Sequence, residues 1–134
     1  MITYRDVGIQ DLSAIKALYR EQGWTAYLSD DMRLIRAFNG SLYARGAFDG
    51  EELIGFVRVL GDGAHTILVQ DLIVKAAYRR KGIGKALLYA VFERFRTVRQ
   101  RFVVTDARDD DALAFYRACG MTPLSDADMI ALRN

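Results

Sequence analysis

The sequence predicts an α+β fold, a mixed sheet of six or seven strands flanked by about four helices, and three observations predict it. Apolar residues recur at helical spacing in some segments, while other apolar runs alternate or are too short for helices. The connections also change along the chain, with hairpins in the first half and a strand–helix–strand crossover in the second, which is the pattern of one mixed sheet with helices on its faces. With 134 residues, 51% of them hydrophobic and 27% charged, the chain is expected to fold as one domain over residues 1–134 and not to be disordered.

The elements follow in the order βααβββαβαβ(β). Ile2 to Val7 alternates as a first strand, and Leu12, Ile15, Leu18 and Tyr19 mark a helix from Gln10 to Gln22 that Gly23 stops. Ser29 or Asp30 caps a second helix reaching Phe38, with Met32, Ile35 and Phe38 on one side. Strands are expected at Ser41 to Phe48 and Leu53 to Leu60, joined at Asp49-Gly50, a dipeptide suited to a tight hairpin. His65 to Val74 is nearly continuous in apolar residues and reads as a strand buried on both faces. A helix from Gly82 to about Arg96, a short strand at Phe102 to Thr105, a helix starting at Asp109 to Asp111 and closed by Gly120, and a last strand at Met129 to Leu132 complete the order.

Composition removes several classes of function. The single cysteine, Cys119, excludes an internal disulfide framework and a cysteine-based zinc site, and no metal is expected. A net charge of +2 is too slight to indicate a nucleic-acid binder, and no apolar run reaches the length of a membrane span. The N-terminus carries Arg5, Asp6 and Asp11 among its apolar residues, unlike a secretory leader, so a cytoplasmic location is expected.

One stretch carries most of the chemical information. An apolar strand ending in Gln70-Asp71-Leu72-Ile73-Val74 runs into the basic loop Lys75 to Lys81 and then into a helix whose first turn holds Gly82 and Gly84. The first amides of a helix lack internal acceptors and sit at the positive end of its dipole. Glycines there let a phosphate approach the backbone, and Arg79, Arg80, Lys81 and Lys85 add charge. Two commoner nucleotide motifs fail on residue identity: the dinucleotide fingerprint would need Gly where Leu87 stands, and the P-loop would need Ser or Thr at Ala86 and Gly at Arg79.

What remains, Arg79-x-x-Gly82-x-Gly84 after an apolar strand, resembles the pyrophosphate-binding signature of the GNAT superfamily of acetyl-CoA-dependent N-acetyltransferases. The segment from Asp109 through Phe115-Tyr116 to Gly120-Met121 is similar to that superfamily's second acyl-CoA motif, in which a late-helix Tyr is followed four residues later by Gly. The element order matches as well, so the resemblance covers essentially the whole chain. Asp109 stands where the family often has Asn, Ala76 where it often has Pro, and Met121 where it usually has Phe. Leu68 occupies the place of a catalytic Glu used by some histone-acetylating members. Leu18-Tyr19, Gly23-Trp24, Tyr27 and Gln70-Asp71-Leu72 further resemble an arylalkylamine (serotonin-type) subgroup.

The resemblance implies acetyl-CoA as co-substrate, held by Leu72, Ile73, Val74, Arg79, Arg80, Lys81, Gly82, Ile83, Gly84, Lys85, Asp109 and Phe115. The backbone of Leu72 to Val74 would pair with the pantetheine amides as if the cofactor were another strand, and an amide near Ile73 or Val74 would steady the oxyanion. It also implies Tyr116 as proton donor to the departing thiolate. Asp71, the one carboxylate inside the apolar strand, is a candidate base or amine anchor; the alternatives are that it hydrogen-bonds backbone at a bulge or pairs with an Arg of the neighbouring strand such as Arg58, and Asp106 and Asp109 are other candidate bases. Trp24, Tyr27 and Phe38 fit either an aromatic amine pocket or the core. His65 and Cys119 read as structural.

The expected reaction is acetyl transfer to a primary amine of a small molecule, with protein lysine or a protein N-terminus as alternative acceptor. A non-catalytic CoA-sensing module and a phosphate or nucleic-acid binding domain are rivals of other classes. Neither nucleic acid nor membrane is expected as a partner, and a homodimer is compatible with the chain.

Overall fold

The computed structural model describes residues 1–134 and divides into two compact units, Met1–Val104 and Thr105–Asn134. In the first, β1 (Ile2–Asp6) precedes α1 (Leu12–Gln22) and α2 (Asp31–Asn39). The strands β2 (Tyr43–Asp49), β3 (Glu52–Gly61) and β4 (Thr66–Val74) follow, then α3 (Ile83–Arg94) and β5 (Gln100–Val103). Helix α1 buries Ile15, Leu18 and Tyr19 at helical spacing and ends where Gly23 turns left-handed at φ 81°. Asp30 caps α2, its carboxylate accepting from the Arg33 amide at 3.1 Å.

The sheet has five strands in the order β1-β2-β3-β4-β5. The first three neighbouring pairs are antiparallel, and β5 joins β4 in parallel across the α3 crossover. The expected sixth or seventh strand is absent: Met129 to Leu132 forms no ladder, and Ile130 and Leu132 are 72% and 86% exposed. Four apolar residues without a paired neighbour gain no ladder hydrogen bonds, so hydropathy alone does not make them a strand.

The strand buried on both faces is β3, not β4. Every residue from Leu53 to Val59 is buried, because β3 lies at the sheet's centre with α1 and α3 both packed on it. Phe56 joins the α1 and α2 side chains in one apolar cluster with Tyr19, Leu34 and Phe38, and its neighbour Val57 points to the opposite face. In β4, by contrast, Leu68, Leu72 and Val74 are only half-buried. On α2 the core takes Phe38 as expected, with Ile35 half-buried, but Leu34 is buried in place of Met32, which is 66% exposed.

Two irregularities shape β4. The register with β3 passes from Arg58 opposite Asp71 to Val59 opposite Val69, leaving Gln70 as an extra residue in a β-bulge. Gly55 on β3 lies opposite Val74, and a Cβ there would stand 2.7 Å from the Ile73 carbonyl oxygen.

The second unit contains α4 (Asp110–Ala118) and a 3-10 turn at Leu124–Ala127. Asp109 caps α4 by accepting from the Ala112 amide at 3.0 Å, and Gly120 closes it at φ 89°. The Met121 amide donates back to the Tyr116 carbonyl, completing the usual helix stop.

Candidate functional site

The two halves of β4 have different neighbours. Strand β5 pairs only with Thr66–Val69, whereas β3 pairs along β4 to Val74. Gln70 to Val74 therefore has a strand on one side and an open edge on the other. The Lys75 amide donates to the Ile54 carbonyl across β3 at 2.7 Å. Backbone groups alternate sides along a strand, so those of Ile73 also face β3 while those of Leu72 and Val74 face the open edge. The edge-facing amides are thus those of Leu72 and Val74, and Ile73 is spent on the sheet.

Where the open half begins, a polar cluster is buried. Asp71 and Arg58 are 2% and 4% exposed, and the Arg58 Nε donates to Asp71 Oδ2 at 2.7 Å. Tyr19 donates to the same oxygen at 2.8 Å and Tyr27 to Oδ1 at 2.9 Å. The Tyr19 and Tyr27 rings stack with centroids 4.1 Å apart, and Gln70 Nε2 donates to the Tyr27 hydroxyl at 3.3 Å. Arg58 Nη1 donates to Ser41 Oγ at 3.2 Å, and that hydroxyl donates to the Ala37 carbonyl. Every buried side-chain polar atom has a partner.

The electrostatics follow from this packing. Burial pushes the Tyr19 phenol well above its ordinary range, and the adjacent Asp71 charge adds to the effect. Burial is also the main cause that raises Tyr27. Burial opposes the Arg58 charge, but the Asp71 carboxylate more than offsets it, so the guanidinium is held charged. Of the alternatives the sequence leaves for Asp71, pairing with Arg58 is the one present. The pair is neutral overall, and three donors occupy both carboxylate oxygens.

At the other end of the open half, the loop into α3 is tied down on several sides. The Ala76 amide donates to Glu21 Oε1 at 2.7 Å. Lys75 pairs with Glu52, which raises the lysine's pKa, and Tyr78 donates to Asp49 Oδ2 at 2.6 Å. That hydrogen bond pushes the Tyr78 phenol up to about 12. Arg79 Nε donates to the Val74 carbonyl at 3.0 Å and its Nη2 to Gln22 Oε1 at 2.8 Å. Arg80 and Gly82 adopt left-handed conformations at φ 62° and 81°, bending the chain into α3. No side chain caps α3, whose first turn carries Ile83, Gly84 and Lys85. Ile83 is buried, while Arg80, Lys81 and Lys85 are exposed. The uncapped N-terminus beside these cations is a suitable cradle for a phosphate.

Other expected residues take different places. Trp24 is 37% exposed and tilted against Tyr19 at 6.4 Å, whereas Phe38 is buried in the core with the Arg58 guanidinium over its ring. Asp109 is occupied as the α4 cap, and Asp106 accepts from the Arg108 amide. Tyr116 lies on α4 in the second unit with its ring edge-on to Phe115 at 5.2 Å. A groove of about 510 Å³ lined by Asp6, Phe38, Ser41, Tyr43, Arg45 and Arg94 includes no residue of β4. Tyr19, Glu21 and Gln22 were not anticipated at the site: Tyr19 sits on an apolar stripe like a core residue, and the contacts of the other two span more than fifty positions.

Residues 9–121 match the sequence profile of the acetyltransferase (GNAT) family. The chain belongs to that family. A solved GNAT family protein, SP0256 from Streptococcus pneumoniae, is 33% identical with a TM-score of 0.87, over 99% of this chain and 96% of the other. The PaiA N-acetyltransferase of Thermoplasma acidophilum, solved with coenzyme A, is 20% identical with a TM-score of 0.73 over 88% of this chain and 87% of its own, a likeness of fold. Among curated relatives, the Glycine max histone acetyltransferase TAP1 is 28% identical over 89% of this chain and 55% of its own length. The chain spans about half the length of the curated relatives it matches.

Proposed function

We propose that this chain transfers an acetyl group from acetyl-CoA to a primary amine of a small molecule by direct attack in a ternary complex. The observation that carries the reading is the open edge of β4 at Gln70–Val74, joined by the tied-down loop of residues 75–82 to an uncapped, cation-flanked α3 N-terminus. An extended amide-bearing chain fits the first part and a pyrophosphate the second. The amide of Leu72 or Val74, held by the sheet behind it, polarises the thioester carbonyl and stabilises the oxyanion as the amine attacks. An aliphatic amine, with a pKa near ~10.4, reacts only in its neutral form. Asp71 acts here as a fixed acceptor that sets the position of Tyr27, because its oxygens are already engaged. Tyr116, in its family position, is assigned the proton that restores the CoA thiol as the C–S bond breaks, and it regains a proton from the nitrogen of the tetrahedral intermediate.

The acceptor is assigned to the surface where the open edge begins, formed by the exposed Trp24 and Gln70 and the half-buried Tyr27, which favours an amine attached to a flat apolar group of the arylalkylamine kind. Protein lysine is the second reading, favoured by the likeness to the Glycine max histone acetyltransferase. Thiol release from acetyl-CoA, measured across arylalkylamines, polyamines, amino acids and lysine peptides, separates the two. Faster turnover of arylalkylamines than of peptides is expected. A strict preference for lysine peptides would overturn the small-molecule assignment, and no thiol release with any acceptor would overturn acetyl transfer itself.

A further inference from the structure

Arg79, Arg80, Lys81 and Lys85 are all exposed, and Arg79 differs from the other three in the hydrogen bonds of its side chain. Arg79 folds back so that its Nε donates to the Val74 carbonyl and its Nη2 to Gln22 at the end of α1. The Val74 carbonyl faces the open edge, so it is the last strand-type acceptor before the chain turns away at Ala76–Tyr78. A guanidinium donating to it ends the ladder there. Leu72, with both its groups, and the Val74 amide remain for an incoming strand-like chain.

Building on the acetyl-CoA reading, we infer that Arg79 is a positioning residue that fixes the register of the pantetheine arm on β4, with Gln22 holding the guanidinium in place. The phosphates are left to the α3 amides and to Arg80, Lys81 and Lys85. Strand pairing without such a stop is prone to slip. A slip of two residues would move the thioester by about 6.6 Å, far outside the distance of about 3–3.5 Å at which an amine attacks. Binding would survive such a slip, but chemistry would not.

The two possible jobs of Arg79 make opposite predictions with donors that lack phosphate. The test compares acetyl-CoA with S-acetylpantetheine in turnover, and CoA with pantetheine in an NMR titration that follows the Leu72, Val74 and Lys75 amides. For Arg79→Ala, kcat is expected to fall on the order of tenfold with S-acetylpantetheine, the shift that one extra hydrogen bond in the slipped register would produce, and by less with acetyl-CoA, whose phosphates on the α3 N-terminus also resist the slip. Because the slipped register adds a binding mode and removes none, pantetheine affinity should rise by a factor similar to the S-acetylpantetheine kcat loss, and pantetheine should newly perturb the Lys75 amide. Gln22→Leu should give a smaller kcat loss of the same kind. The wild-type preference for acetyl-CoA over S-acetylpantetheine should survive Arg79→Ala and shrink in Lys81→Ala.

Weaker CoA binding by Arg79→Ala, with pantetheine binding and kcat unaltered, would make Arg79 a phosphate ligand and overturn the inference. An Arg79→Ala protein indistinguishable from wild type would overturn it as well. If wild-type protein turns over no acceptor and its NMR spectrum does not respond to CoA, the acetyl-CoA reading falls and takes this inference with it.

Discussion

The first half of β4, Thr66–Val69, is held between β3 and β5, whereas the second half, Gln70–Val74, is held by β3 alone. Both halves belong to one strand, yet only the first completes its hydrogen bonds within the sheet. The bulge at Gln70 falls at the boundary, and so does the buried Arg58–Asp71 pair. Backbone valences in the closed half are spent on stability. In the open half the sheet leaves the backbone groups of Leu72 and the Val74 amide unpaired, and the Val74 carbonyl accepts from Arg79.

The largest expected effect lies at the boundary. Asp71→Ala would strand the Arg58 charge in the core and should cost about 3–5 kcal/mol, read by chemical denaturation. Arg58→Met combined with Asp71→Leu and with Tyr19→Phe, which removes a buried hydroxyl that would otherwise lose its acceptor, should recover most of that loss. Recovery would show that the pair sets specificity of packing more than stability.

Proline substitution tests the side assignment directly. Ile73→Pro removes a donor to β3 and should destabilise by about 3 kcal/mol, since a ladder bond is lost and a buried carbonyl is left unpaired. Leu72→Pro removes a donor that faces the open edge; its thermal stability should fall far less, while CoA affinity measured by calorimetry should fall about tenfold. Equal destabilisation by the two would break the comparison.

Tyr27→Phe deletes one of the three hydrogen bonds to Asp71, and a loss of about 1 kcal/mol is expected. Its KM for the amine should rise more than its KM for acetyl-CoA. The smallest effect belongs to the closed end, where Asp62 accepts from the amides of Ala64, His65 and Thr66 in the turn before β4. Those amides lower its carboxyl to about 2 from an ordinary 3.8. Its contribution is therefore complete above about pH 4 and fades as pH falls toward 2. An acid denaturation series on Asp62→Asn should lose that component of the pH dependence.

How much of this was legible in the sequence depends on how local each signal is. The loop into α3 is readable because Arg79, Gly82 and Gly84 act within a few residues of one another. The hairpin at Asp49-Gly50 is readable for the same reason, with Gly50 at φ 60°. The Arg58–Asp71 pair was one alternative among several, and only strand register could select it. The central strand was misplaced because hydropathy reports how apolar a run is, not which strand has helices on both faces. The tail at Met129 to Leu132 shows the converse, an apolar run that lacks a ladder. Glu21 and Gln22 look like ordinary helix-surface residues until the chain folds them against a loop far ahead.

Gly55 adds a consequence for inheritance. Its position on the covered side of β3 leaves no space for a side chain before the Ile73 carbonyl. A missense change at this single codon would press on the open edge from behind, so its damage would surface as a donor-binding defect in a residue that no donor touches.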